Sequence, residues 1–214
     1  MKILINKIHY PVKNLGMGRG RIGIWMQGCS IHCPGCINKD TWPFDAGYEI
    51  EIKTLISRLI KFKNKRIDGI TISGGEPFDQ PEALAAMVRR LRKLTDGDIL
   101  VYSGYRYARL KSKYQAILDD IDVLVSGAYC ETESDRLIWR GSDNQKIHLL
   151  SAMARRIYPK NINKMEYSNR VMQFSVIGNE VFMIGIPARD DMRKFCAILS
   201  EKGLNLACGK EKNQ

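Results

Sequence analysis

Cys29, Cys33 and Cys36 fall within eight consecutive positions, spaced C-x3-C-x2-C, directly after the apolar run at 22–27. Nothing else in the chain limits its fold so sharply, because thiols this close in sequence share one loop. Thiolates are soft ligands, and three of them with no fourth cysteine nearby point to an iron–sulfur cluster that keeps one iron open. An open iron can take a substrate or a cofactor. The alternative is a zinc knuckle with His32 as the fourth ligand. His32 adjoins Cys33 with no residue between them, so the two have difficulty reaching one tetrahedral ion. The histidine is read instead as a neighbour of the cluster or as a surface residue.

A chain of 214 residues, 44% of them hydrophobic, suits one domain with an appendage and can bury a substantial core. No apolar run approaches the roughly 20 residues that span a bilayer, and the amino terminus lacks a basic-then-apolar leader. A cytoplasmic protein without a membrane anchor is expected. Cys130, Cys196 and Cys208 are scattered singly, unlike a secreted disulfide framework. Net charge is +11, from 34 Lys and Arg against 23 Asp and Glu. The basic clusters at 61–66 and 89–93 flank apolar stripes, which makes them a solvated outer face first and an attraction for an acidic protein second. Nucleic acid is disfavoured, since no basic stripe with interleaved aromatics accompanies the charge.

Strand and helix periods alternate from 22 to about 187, which predicts an α/β fold built on a parallel sheet. Strands are expected at 22–27, 69–73, 99–102 and 122–125. Helices are expected near 50–62, from Asp79 through Leu94, and at 110–118. The first of these carries Ile52, Leu55, Ile56, Leu59 and Ile60 on one face, and Asp79 with Glu82 forms a helix-start pair for the second. Ser73-Gly74, Ser103-Gly104 and Ser126-Gly127 each end a strand. Small, polar loop starts therefore gather at the carboxyl end of the sheet, where open α/β sheets and barrels hold ligands.

Beyond 128 the pattern loosens. Residues 131–145 read as a loop, 147–157 as a helix and 159–169 as a linker. Strands at 171–177 and 181–186 flank Gly178-Asn179, a hairpin signal. A closing helix buries Met192, Phe195, Cys196 and Leu199, and the tail from Gly209 is charged and read as disordered. The expected division is a core domain over 1–157 and an extension over 158–214.

The loop Ser73-Gly-Gly-Glu-Pro77 follows the second strand. Two glycines let backbone approach a ligand closely, and a neighbouring carboxylate can hold an ammonium group. Together with the cysteine loop, this element resembles the radical S-adenosylmethionine (SAM) superfamily. There the unique iron of a 4Fe–4S cluster chelates SAM, and an electron from the cluster cleaves it to a 5′-deoxyadenosyl radical. A narrower resemblance runs over roughly 10–145, through Gly28-Cys29, His32-Cys-Pro-Gly-Cys36, Asn38, Thr41-Trp42, Ser73 to Phe78, Ser103-Gly-Tyr105, Asp122 to Val125, Ile138-Trp-Arg-Gly-Ser142 and Asn144-Gln145. These are similar to the activating proteins of anaerobic (class III) ribonucleotide reductase, which install a glycyl radical on the large reductase subunit.

That resemblance implies a partial (β/α) barrel, open on one side, with Cys29, Cys33 and Cys36 as ligands of a 4Fe–4S cluster. It implies Gly74, Gly75 and Glu76 for the methionine moiety of SAM, Ser103 and Ser126 for its carboxylate or ribose, and the Ile37-Asn38 backbone for adenine. Hydrogen abstraction needs no acid or base residue beyond these. The implied partners are a large glycyl-radical enzyme subunit and an electron donor such as flavodoxin or ferredoxin. Ser126 stands where such activases carry an acidic residue, which puts a ribose contact or the partner in question. Cys130 is read as inert ahead of a substrate-side thiol. Trp25, Trp42 and Trp139 are read as packing residues, with Trp139-Arg140 holding the better claim to a functional role. Gly16 to Gly20 precedes a strand and lacks the Gly-Lys ending of a phosphate loop. The other readings are a radical SAM enzyme that modifies a small molecule of deazapurine type or a peptide, and a metal-binding adaptor that never cleaves SAM.

Overall fold

The computed structural model describes residues 1–177 and 180–203. The turn at Gly178-Asn179, Cys208 and the tail from Gly209 lie outside the described residues.

The chain opens with β1 (Lys2–Val12), which runs antiparallel to β2 (Arg21–Met26) and to the short β3 (Glu49–Glu51). From β2 the sheet grows in parallel through β4 (Gly69–Gly74), β5 (Asp98–Ser103) and β6 (Val123–Ser126), and closes with an antiparallel edge, β7 (Lys146–Leu149). The order is β3-β1-β2-β4-β5-β6-β7. The expected parallel sheet is thus a mixed one, with antiparallel strands on both edges, and in place of the expected partial barrel the described residues form a sheet open at β3 and β7.

Both faces of the central strands are covered, which is why they read as continuous apolar runs. On one face Ile22, Ile24, Ile70, Ile72, Ile99 and Val101 pack against α1 (Ile52–Ile60), α2 (Pro81–Leu91) and α3 (Tyr107–Leu118). On the other, Leu100, Val123, Val125 and Ile147 meet α4 (Ala152–Ile157) together with Tyr158 and Ile162. Tyr158 and Ile162 follow the expected boundary at 157, yet both belong to this core layer. Ile60, expected on the buried stripe of α1, is 49% exposed, while Leu59 in the same last turn takes the buried place. The expected start of α2 also differs. Pro81 occupies its first turn after Gln80, and Asp79 turns away to hold another loop.

Residues 147–149 form an edge strand where a helix was expected, and α4 starts only after Ser151, whose hydroxyl accepts from Ala154 N–H. The side chain of Asn163 closes the outer edge of that strand, accepting from Ile147 N–H at 2.9 Å and donating to Ile147 C=O at 2.8 Å. At the opposite end of the sheet from the cysteine loop, fully buried Arg21 donates to both carboxylate oxygens of Asp98, at 2.6 and 3.0 Å, and the Tyr158 hydroxyl donates to the second of them. Removing one member of such a buried pair costs about 3–5 kcal/mol.

The chain ends in a separate hairpin, β8 (Gln173–Ile177) with β9 (Glu180–Ile184), and α5 (Asp191–Glu201). The four α5 residues expected in the core, Met192, Phe195, Cys196 and Leu199, are half-buried, since the helix packs on the hairpin and not inside the main sheet. Among the described residues no helix is long and apolar enough to cross a membrane.

Candidate iron–sulfur and cofactor site

The cysteine loop leaves the carboxyl end of β2 and is fastened at both ends. Gly28 N–H donates to Thr41 C=O at 2.8 Å and Cys29 N–H to Trp42 C=O at 3.0 Å. Between them Ser30 is clamped by Asp79, which accepts from Ser30 N–H at 2.6 Å and from its hydroxyl at 3.0 Å. The Tyr105 hydroxyl donates to the same carboxylate at 2.5 Å, and the Arg109 guanidinium lies 3.8 Å from the Tyr105 ring centre. The loop passes through positive φ at His32 and Gly35. At Gly35 a Cβ would fall 2.7 Å from the Glu131 carboxyl carbon, so that glycine makes room for an acid from the other side of the site.

Cys29, Cys33 and Cys36 are free and half-exposed, and all three line one cavity of about 540 Å³ at the carboxyl ends of β2, β4, β5 and β6. Burial pushes the Cys29 and Cys33 thiols above their ordinary range, and the other cysteines add to the shift at Cys33. Those two thiols therefore favour the protonated form until a cation displaces the proton. Among the described residues no three His, Cys, Asp or Glu side chains converge on one ion position. Thiolates that each ligate a different iron of a cluster have no need to. The His32 ring stacks on Trp42, with centroids 4.6 Å apart, and does not line the cavity. The donor set is thus three thiols and fits a 4Fe–4S cluster.

The loop after β4 is bonded to the cysteine loop backbone to backbone: Gly75 N–H donates to Met26 C=O and Glu76 N–H to Gly28 C=O. A Cβ on Gly75 would lie 2.1 Å from the Gly28 carbonyl oxygen, and one on Gly74, at φ +95°, would lie 2.6 Å from Met26 backbone. The close approach expected toward a ligand is in the first place an approach of the two loops to each other. Glu76 is 2% exposed and still lines the cavity. It accepts from Phe78 N–H, Gly104 N–H and the Ser103 hydroxyl at 2.7–2.9 Å, which ties the β4 loop to the β5 loop. Burial, only partly offset by these donors, pushes its pKa up to about 7.

Ile37, Asn38, Gly74, Gly75, Glu76 and Ser103 line the same cavity as the cysteines. The Asn38 carbonyl already accepts from Thr41 N–H and from its hydroxyl. Ser126 is not on the cavity wall: it is buried, its hydroxyl bonds His148 Nε2 at 2.9 Å, and Gly127 takes its place on the lining. Arg140 is 1% exposed and donates to the carbonyls of Ile138, Gln145 and Ile162, which makes it the fastener of its own loop. Trp139 meets Tyr158 edge to face. Cys130 lies beside two lining residues, Tyr129 and Glu131, and contacts the Thr132 hydroxyl at 3.2 Å. Lys7 from β1 and Phe182, Met183, Ile186 and Arg189 from the end of the chain also line the cavity. None of these belongs to a local motif, and no sequence signal marks them.

The family model for the 4Fe–4S single cluster domain matches residues 15–148. Among curated proteins, the anaerobic ribonucleoside-triphosphate reductase-activating protein of Haemophilus influenzae is 35% identical over 147 residues, which cover 65% of this chain and 94% of the relative. Its counterpart in Escherichia coli K12 is 35% identical over 150 residues, covering 66% and 96%. That of enterobacteria phage T4 is 28% identical over 141 residues, covering 64% and 89%.

Proposed function

Since the chain belongs to the family of anaerobic ribonucleoside-triphosphate reductase-activating proteins, we propose that it generates a glycyl radical on the large subunit of an anaerobic ribonucleotide reductase. The observation that carries this reading is the shared cavity wall, where three free thiols and the Gly74-Gly75-Glu76 loop meet and are held together by backbone hydrogen bonds. When bound, a 4Fe–4S cluster and SAM supply the one-electron reductive cleavage that starts the radical chemistry.

The chain's own residues bind and orient. Cys29, Cys33 and Cys36 hold the cluster, and the Asp79 clamp on Ser30 keeps their loop against the β4 loop. Gly74, Gly75 and Glu76 receive the methionine ammonium, Ser103 orients the Glu76 carboxylate, and the backbone at Ile37-Asn38 borders the adenine. Ser126, bonded to His148 and off the cavity wall, has no contact with the cofactor in this reading. In this reading the sheet serves as a partial barrel, and a polypeptide glycine enters on its open side. A cytoplasmic location and an electron donor of the flavodoxin or ferredoxin type complete the reading.

The test is anaerobic reconstitution with iron and sulfide. Wild-type protein should take up a 4Fe–4S cluster, release 5′-deoxyadenosine from SAM under dithionite, and give a glycyl signal in electron paramagnetic resonance once a reductase large subunit is added. Cys33→Ala should lose both cluster and cleavage. Full iron content and cleavage in that variant would defeat the assignment.

A further inference from the structure

The curated relatives are covered almost end to end by about two thirds of this chain, and the 4Fe–4S domain match stops at 148. The carboxyl-terminal hairpin beyond that point is fastened to the start of the chain. Asn14 donates to Val171 C=O at 2.7 Å and to Ile184 C=O at 2.9 Å, while the Gln173 side chain accepts from Lys13 N–H and donates to Pro11 C=O. Ile184 is buried in an apolar cluster with Val12, Leu15 and Trp25. Arg170 pairs with Asp135 at 3.3 Å and donates to the carbonyls of Ile186 and Pro187. The segment at 185–189 is thereby held on the cavity rim.

The charges around this cavity are unequal. Its lining includes four acids, Asp40, Glu76, Glu131 and Asp135, and two bases, Lys7 and Arg189. Lys7 stands 4.0 Å from Asp40 and over the Phe182 ring. Arg189 forms no hydrogen bond or ion pair among the described residues. Where Glu76 holds the ammonium of a ligand that carries a carboxylate as well, a cation on the wall of the same cavity can hold that second group. A guanidinium matches a carboxylate with two parallel hydrogen bonds.

We infer that Arg189 binds the methionine carboxylate of SAM, so that the segment beyond the shared domain completes the cofactor site from within the same chain. The inference rests on the reading that SAM occupies this cavity. It makes the extension part of the binding site, with Phe182 as an apolar wall beside it.

Two ligands separate the charge contact from a general loss of shape. SAM and decarboxylated SAM are titrated anaerobically into cluster-loaded wild type, Arg189→Gln, Arg189→Lys, Lys7→Gln and Arg193→Gln, with cluster absorbance recorded for each. Arg193 serves as the control, being exposed on α5, near Asp190 and off the cavity lining. Loss of a charge-assisted contact should weaken SAM binding by about 10-fold to 100-fold in Arg189→Gln. The same change should leave decarboxylated SAM within about threefold, as expected for a ligand that lacks the partner group. Arg189→Lys should fall between, and Arg193→Gln should match wild type. Unchanged SAM affinity in Arg189→Gln, an equal loss for both ligands, or loss of the preference in Lys7→Gln instead would overturn the assignment. Wild type that carries a cluster yet binds neither ligand would sink the SAM reading itself.

Discussion

Glu76 is charged only at a cost, and that cost has a sign. Its pKa stands near 7 in the folded protein against 4.5 for a free side chain. Between those values the folded state keeps a proton that the unfolded state has lost, so stability falls as pH rises through that window. The deficit reaches roughly 3 kcal/mol above it. An arriving ammonium reverses the balance by favouring the ionised form. From about pH 6 to about pH 7.5, before the SAM amino group loses its own proton, SAM affinity should therefore rise roughly fivefold to tenfold. A flat profile by equilibrium titration would remove the contact between Glu76 and the ammonium. The neighbouring glycine behaves differently from its sequence reading. The pattern Gly-Gly-Glu-Pro marks a close backbone approach, but only the fold shows that the Gly28 carbonyl fills the place a Gly75 side chain would take. Gly75→Val should accordingly lower iron content as well as SAM affinity, and a variant that loses SAM alone would contradict that packing.

At the scale of elements, local periods located α1 to α3 and the central strands, because each is amphipathic or buried over its own length. They failed at 147–157, where apolar residues suit either period. The decision there is made from outside, by Asn163 across the edge of β7 and by the Asp122 carbonyl, which accepts from Leu150 N–H. The hairpin strands were also legible, but not what they rest on. Asn14 joins the end of β1 to both sides of the hairpin, and Gly185, at φ +133°, passes so close that a Cβ would lie 2.5 Å from the Asn14 amide. Asn14→Ala removes one exposed and one part-buried hydrogen bond, a loss of about 0.5–1.5 kcal/mol for each at most. Hydrogen exchange should show faster exchange at β8 and β9 with β4 to β6 unchanged. Uniform acceleration across all strands would mean that the hairpin and the main sheet unfold as one unit.

For the whole molecule the legible part was chemical. Three thiols and a glycine loop announced the cluster and the cofactor, while the excess of positive charge read first as a solvated face and only second as an attraction for an acidic partner. The shape of the cavity was not legible, since one wall comes from 181–189, far along the chain from the cysteines, and contact at that distance leaves no local pattern. If the +11 charge steers an acidic reductase toward the open edge, glycyl-radical formation should slow as salt rises toward 1 M, where the Debye length is roughly 3 Å. Release of 5′-deoxyadenosine without the partner should respond much less. Equal salt sensitivity in the two assays would rule out electrostatic docking.

The strand order has a further consequence for how the protein is made. Apart from β3, which joins the far side of β1, the strands after β2 are laid down in chain order from β4 to β7, β4 beside β2 and each later one beside its predecessor. A nascent chain emerging from the ribosome can add these strands in turn, without waiting for later segments. The cysteine loop and the glycine loop meet as soon as β4 docks on β2, while β8, β9 and α5 are still to be translated. The youngest form of the site is therefore a shallow, open basin, accessible to the machinery that delivers iron and sulfide. Translation of 181–189 then adds a further wall to it.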